Sequence, residues 1–415
     1  MLLSFSAGAQ TIGDCKSRFN RYLNFKNSLN TVVVFEDKVL YLQTAGKKTF
    51  AIYADELLVL SKLFEFGSSE QQKQLISRKG LYHFKTKQLD SIRATINDEK
   101  AVIRKADSLP LRGYRIAIDA GHFGTTMQDA LIEEKYLLFY RPAQGDTISL
   151  FESTLTFNTA QILKHLLEEQ GAEVFTTRSK ANHTSFDCTY QEFLKLHKRR
   201  VLDSLRKENQ LTHTKYQALL QANDREFFWQ FFRDFDLSNR ARKINQFAPH
   251  ATAIIHYNVD EKNAPWKAQT NKDFTMAFIG GAYTPRDLTK EENKIDFVRQ
   301  LITPQLERSE KLAAETVNSF KENLAVPVAR PQDATYLYKN SIATPSGGVF
   351  SRNLVLCRKI NSVLVYGESL YQDNEKECEA LMRCTVNMYG VNTSERITRV
   401  AASYYEALYG FLLNN

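Results

Sequence analysis

The chain has 415 residues, enough for one large or two ordinary domains with a substantial core. Hydrophobic residues make up 43% and charged residues 25%, the balance of a soluble globular protein, and no run approaches the ~20 apolar residues that crossing a bilayer requires. The net charge of +8 is dispersed, without a long basic tract; it favours anionic surfaces or polymers without choosing among nucleic acid, lipid headgroups and cell wall, though no recognised nucleic-acid motif appears.

The opening "MLLSFSAGAQ" is short, apolar and ends in small residues. It reads as the remnant of a secretory signal over 1–10 and implies export, periplasmic or extracellular. Five cysteines (Cys15, Cys188, Cys357, Cys378, Cys384) form no CxxC pair. Their odd number argues against a disulfide framework and leaves room for one bridge such as Cys378–Cys384. Residues 11–110 read as a small α+β domain. "TVVVFEDKVLYLQ" and "KTFAIYA" are strand-like by their β-branched and aromatic content, and "DELLVLSKLFEF" and "SEQQKQLISRKGLYHF" are helical by spacing. "KADSLPLRGY" marks a linker near 105–113.

Over 111–415 the rhythm changes to strand–helix alternation. A strand at 114–119 precedes an irregular or hairpin stretch, 123–150. The helix "STLTFNTAQILKHLLEEQG" follows, with Leu155, Ile162, Leu163 and Leu166 on one stripe and Gly171 as its stop. The strand "AEVFTTR", a long helical segment, the strands "ATAIIHYN", "FTMAFIGG" and "SVLVYGES", and a last helix at 394–412 complete the series. Such alternation predicts an α/β fold, a mostly parallel twisted sheet with helices on both faces, whose sites gather at the carboxyl ends of strands.

Three ligand-type side chains fall at such ends. His122 follows the first strand of this region, His256 closes "TAIIHYN", and Glu152 opens the amphipathic helix. Two histidines and a carboxylate, with a fourth position left to water, form the donor set of a catalytic zinc site. Asp119, three residues before His122, is placed to accept an imidazole N–H. Glu368, closing "SVLVYGE", is placed to act as general base.

Four stretches resemble the zinc-dependent N-acetylmuramoyl-L-alanine amidases of the amidase-3 type. "IAIDAGHFG" resembles the family's first strand and zinc histidine, at His122. "ESTLTFNTAQILKHLLEEQGAEVFTTR" resembles the segment that starts at the glutamate ligand, Glu152, and ends in Thr-Arg at Arg178. "NRARKINQFAPHATAIIHYN" resembles the block holding the second histidine, His256, followed by Asn258. "LVYGESLYQDN" resembles the closing block, in which Glu368, Tyr371 and Asn374 keep the intervals of the catalytic glutamate, an aromatic and an asparagine. Together the blocks cover about 114–412, with insertions.

The resemblance implies an exported hydrolase with one zinc per chain. Its substrate would be the amide between N-acetylmuramic acid and L-alanine in peptidoglycan, met as glycan strand plus stem peptide. Glu368 would be the catalytic residue, and Asn258, Arg178 and Arg240 the substrate contacts. The sequence departs from the pattern where Phe123 stands before Gly124, and where ~15–20 extra residues separate His122 from Glu152, so that Glu133 and Glu134 compete as ligand. In the last block Tyr366 and Gly367 follow "VLV" where the family has its glutamate directly. Two helical insertions are expected. That at 183–236 carries "KLHKRR", read as a solvated face, and Phe227, Phe228, Trp229, Phe231 and Phe232, read as packing onto the domain. That at 260–308 contains "TKEENKIDFVRQLI", where relatives carry an inhibitory helix displaced by a protein activator. Two other readings stay open: a non-catalytic murein-binding relative, and a zinc carboxypeptidase using Arg178, Arg240 or Arg352 as a carboxylate clamp.

Overall fold

The computed structural model describes residues 10–96, 109–263 and 266–414. The signal remnant expected over 1–9 and the part of the linker at 105–108 lie outside the described residues. After the helix Ile12–Arg18 come three strands, β1 (Val33–Glu36), β2 (Val39–Thr44) and β3 (Lys47–Tyr53), as an antiparallel sheet. The helices Leu57–Phe66, Ser69–Lys79 and Thr86–Ala94 follow. Ser68 starts the second of these by accepting from the Gln71 N–H while the Gln71 side chain returns the bond, so two otherwise orphaned helix-end donors are satisfied.

The strands β4 (Arg115–Ala120), β5 (Tyr136–Arg141), β6 (Asp146–Phe151), β7 (Glu173–Thr176), β8 (Ala251–Asn258), β9 (Met276–Ile279), β10 (Ser341–Ala343), β11 (Val349–Arg352), β12 (Val363–Tyr371), β13 (Val386–Met388) and β14 (Val391–Thr393) follow. A seven-stranded sheet has the order β10-β11-β9-β12-β8-β4-β7 and is mixed but mostly parallel. β4 runs parallel to both its neighbours, β7 and β8, and β10 pairs antiparallel with β11. β4 and β8 are buried along nearly their whole length, the signature of strands covered on both faces. β5 and β6 form a separate hairpin, which takes up most of the extra residues between His122 and Glu152.

The helix Glu152–Glu169 lies against β4 and β8 and packs on the last helix, Glu395–Asn414. Its buried stripe is Leu155, Thr159, Ile162, Leu163 and Leu167. Leu167 is buried where Leu166 is not, continuing the four-residue series Leu155, Thr159, Leu163. Gly171 ends the helix with φ of +89°, as its place in the sequence predicts.

The chain groups into two compact units, residues 1–108 with 278–314 and 330–365, and residues 109–277 with 315–329 and 366–415. The small N-terminal α+β domain therefore groups with two later segments of the chain. Its buried Lys79 and Glu56 pair with each other, whereas other groups reach the later segments. Arg18, 3% exposed, holds the Glu307 carboxylate and the Leu301 carbonyl. The backbone N–H groups of Ala282 and Tyr283 donate to the carbonyls of Tyr22 and Leu23. At Gly281, φ is +131° and a Cβ would stand 2.2 Å from the Tyr22 carbonyl oxygen, so only glycine lets the two backbones approach.

The expected insertion at 183–236 is helical: Tyr190–Leu196, Lys198–Lys207, His213–Gln221 and Asp224–Phe227, then a wider turn into Arg233–Phe247. Phe227, Phe228 and Phe232 are buried with Tyr190, Phe193, Leu202 and Leu219, Phe231 packs at the edge, and Trp229 is exposed. The four phenylalanines thus pack as expected, and Trp229 does not. The helix Glu291–Ile302, expected as a candidate cover, packs against Leu57–Phe66 and Ser69–Lys79 of its own unit. All five cysteines are free, Cys378 and Cys384 included.

Candidate metal centre

β4 delivers the chain into a tight turn, Gly121-His122-Phe123-Gly124. The Gly121 N–H donates to the Ile255 carbonyl at 3.0 Å, which aligns the end of β4 with the end of β8. Gly121 has no alternative at this place: a Cβ would lie 2.3 Å from Cε1 of His256. His122 follows with φ of +60°, a left-handed conformation that costs a non-glycine residue about 1–3 kcal/mol and persists only where its surroundings hold it.

Those surroundings are on two sides. Glu133, the last residue of the helix Met127–Glu133, folds back under the turn. Its Oε1 lies 3.3 Å from His122 Nδ1, and its Oε2 accepts from the N–H groups of Phe123 at 2.9 Å and Gly124 at 2.6 Å. Phe123 anchors the other side, packed on Tyr190, Phe228 and Phe232 of the helical insertion at ring separations of 5.6, 5.9 and 6.2 Å. The aromatic residue that breaks the expected Gly-His-Gly pattern thus belongs to the insertion's own core.

His122, Glu152 and His256 each offer a donor atom, and these atoms lie within 4.8 Å of one another. Glu152, 1% exposed, turns Oε1 toward both imidazoles, 3.4 Å from His122 Nε2 and 3.1 Å from His256 Nδ1. Its Oε2 accepts from the Gln372 side-chain amide at 3.2 Å, with the Lys135 ammonium 3.9 Å away. Burial alone would raise the Glu152 pKa, but the facing His122 and Lys135 charges and the imidazole bonds hold it well below the ordinary value. The two histidines diverge. Burial opposes charge on His122, yet Glu152 and Glu133 outweigh it and push the imidazole up to about 9. Burial and the charge on His122 bring His256 down to about 4, despite its bond to Glu152. His256 is stacked on Tyr366 with ring centroids 4.4 Å apart and planes 6° apart.

This donor set fits zinc: two imidazoles and one buried carboxylate, each oriented by a further residue. Of the other expected site residues, Glu368 lies on β12 two positions after Tyr366. Side chains alternate along a strand, so it shares the face that Tyr366 turns to His256. Gly367 between them abuts Tyr404 on the opposite face. Asn258 ends β8, its side-chain oxygen accepting from the Val259 N–H.

Three expectations are corrected. Asp119 is not the imidazole acceptor: it takes the Thr177 hydroxyl at 2.5 Å and faces Arg240 at 3.4 Å, and Glu133 fills the expected role. Arg178 and Arg240, expected on the substrate, are 2% and 3% exposed. Arg178 donates to the carbonyls of Ala120, Gly121, Ser153 and Ala181, and burial followed by the neighbouring Arg240 pulls it down to about 9. Arg240 is held by Asp236 at 2.7 Å and donates to the Ala120 carbonyl at 3.1 Å. Both guanidiniums brace the turn from beneath. Glu134 is exposed and pairs with Arg225, outside the cluster. Gln372, Lys135 and Tyr366 border the cluster without having been singled out as ligands or ligand partners. Gln372 and Tyr366 sit inside the closing block, which is the signal that could have found them; Lys135 lies outside the four blocks.

The family described as N-acetylmuramoyl-L-alanine amidase matches residues 116–388, which contain the whole cluster. Among solved structures, the CwlD amidase of Clostridioides difficile in complex with the GerS lipoprotein is 16% identical, with a TM-score of 0.38 over 73% of this chain and 100% of that one. Ami1 of Mycobacterium abscessus is 15% identical, with a TM-score of 0.38 over 73% and 100%. Ami1 of Mycobacterium smegmatis is 14% identical, with a TM-score of 0.40 over 74% and 99%. A comparison with curated proteins gave no match. With the family match spanning most of the chain and the donor cluster inside it, the protein belongs to the N-acetylmuramoyl-L-alanine amidase family.

Proposed function

We propose that the protein is a zinc-dependent hydrolase that cleaves the amide between N-acetylmuramic acid and L-alanine in peptidoglycan. The observation that carries this reading is the convergence of His122, Glu152 and His256 within 4.8 Å at the strand ends, inside the matched region. When bound, zinc supplies Lewis acidity toward an amide carbonyl and makes water acidic near neutral pH. Glu368 takes the proton of the attacking water and hands it to the departing amine, a role its place on the histidine face of β12 supports. Asn258, at the end of the strand that carries His256, stays the proposed substrate contact. A polymer with stem-peptide carboxylates suits the net charge of +8. The reading brings export with it, since the polymer lies outside the cytoplasm; among the described residues no helix is long and apolar enough to cross a membrane.

The carboxypeptidase alternative loses its support, because Arg178 and Arg240 are spent on the turn and Arg352 lies over the rings of Phe278 and Tyr336. The helix Glu291–Ile302 packs on helices of its own unit. The test pairs metal analysis with amine release from purified murein. Wild type should carry one zinc and release stem peptide. Glu368→Gln should keep the zinc while turnover falls roughly 10²–10⁴-fold. Zinc-loaded wild type that releases no stem peptide would sink the activity, and wild-type turnover in Glu368→Gln would sink the base.

A further inference from the structure

We infer that Glu133 is a positioning residue that sets the orientation and tautomer of His122 for metal binding, through one carboxylate shared by the His122 ring and the two backbone N–H groups that follow it. The inference rests on the zinc reading above and names a residue that neither the sequence pattern nor the donor cluster contains.

Backbone amides only donate, so the carboxylate that receives Phe123 and Gly124 on Oε2 acts as an acceptor. Facing the same carboxylate, His122 Nδ1 must carry the proton of the 3.3 Å bond to Oε1. The lone pair of a neutral ring then sits on Nε2, the nitrogen 3.4 Å from Glu152 Oε1 and turned into the cluster. One side chain thereby selects the nitrogen that is left for a metal. Its two backbone bonds also restrain the peptide units just after His122, the residue at φ of +60°.

The geometry leaves little slack. A Cβ on Gly124 would stand 2.7 Å from the Ala130 backbone nitrogen, so the turn lies directly on the helix that carries Glu133. Glu133 is 5% exposed, which keeps water from competing for its oxygens. Asp119 is committed to Thr177 and Arg240, and Glu134, next in sequence, turns outward to Arg225. Among the described residues, His122 Nδ1 has no other carboxylate acceptor.

The test uses the full chain and zinc alone as the probe, read by chelator competition, with Glu133→Ala, Glu133→Gln and the exposed control Glu134→Gln. Wild type and Glu134→Gln should bind alike. Glu133→Ala should lose about 10–100-fold in zinc affinity, and Glu133→Gln, which retains one acceptor oxygen, should lose less. A second readout separates positioning from mere stabilisation. In the zinc-loaded protein the His122 Nδ1 proton should give a slowly exchanging downfield resonance in wild type, and the alanine variant should lack it. If Glu133→Ala does not fold, the glutamine variant decides by the same two measurements. A folded variant with wild-type affinity and an intact Nδ1 resonance would overturn the role of Glu133 alone. Wild type that binds no zinc would overturn the metal reading and this inference with it.

Discussion

Gly121 shows how much of a metal centre depends on an absent side chain. A methyl group there would lie within 2.7 Å of three atoms of the His256 ring, and the ring is already confined by its stack on Tyr366. Gly121→Ala should displace His256 from Glu152 and lower zinc affinity roughly 10–100-fold, read by metal titration of the folded variant. Unchanged affinity would mean that the ring has room the contacts do not show. The histidines also predict how binding responds to pH. Metal must displace any proton on its ligands. With His122 pushed up to about 9 and His256 down to about 4, one proton should leave per zinc between these values. Affinity should therefore rise about tenfold per pH unit from 5 to 8, whereas a slope near two would show both imidazoles charged. At this scale the three candidate donors were legible because four blocks keep their order and spacing. The arginines were misread because sequence displays charge and conceals burial. Asp119 was misread for a related reason. Nearness in sequence favoured a residue three positions before His122, and the fold brought back one eleven positions after it.

At the scale of elements, the insertion at 190–232 and the turn at 121–124 are packed as one object. Phe123, 1% exposed, and Ile132 join the turn and its helix to a core supplied otherwise by the insertion. Phe123→Ala should cost about 3–5 kcal/mol of stability, measured by denaturant unfolding. It should also weaken zinc binding, because one of the two holds on left-handed His122 is gone. A loss of stability with zinc affinity unchanged would show that Glu133 suffices. Helical spacing and aromatic clustering made the insertion's packing readable in advance. Its role was not readable, because Phe123 looked like a departure from a pattern until its neighbours, some 67 to 109 residues later, were in place. Whether the helix at 291–302 covers anything was not readable, for the complementary reason. Periodicity reveals that a helix has an apolar face, but says nothing of which surface fills it.

At the scale of the molecule, the alternating strands foretold the sheet, but chain order does not show that the small N-terminal domain groups with two later segments. Glu310 displays that grouping and gives it a measurable consequence. Its carboxylate, 3% exposed, receives Tyr22 and Arg21 from the first segment of its unit and Ser346 from the third. Burial opposes its charge, but the bonds from Tyr22 and Ser346 and the charge of Arg21 outweigh burial and lower the Glu310 pKa. A carboxyl whose folded value lies below its unfolded one contributes stability that is fully present above the unfolded value, near 4.5. That contribution is lost as pH falls through the folded value. The window of acid loss therefore opens at about pH 4.5 and extends downward. Glu310→Gln removes the titration and leaves the Tyr22 hydroxyl and the Arg21 charge poorly matched. The variant should be about 1–3 kcal/mol less stable at neutral pH, where the wild-type carboxylate is charged. Its deficit should shrink as wild type is acidified, so that the two stability curves converge below pH 4. Denaturant unfolding followed across pH 3 to 7 checks this. Parallel curves would show that Glu310 has the same pKa folded and unfolded, and that the three segments are held without help from its charge.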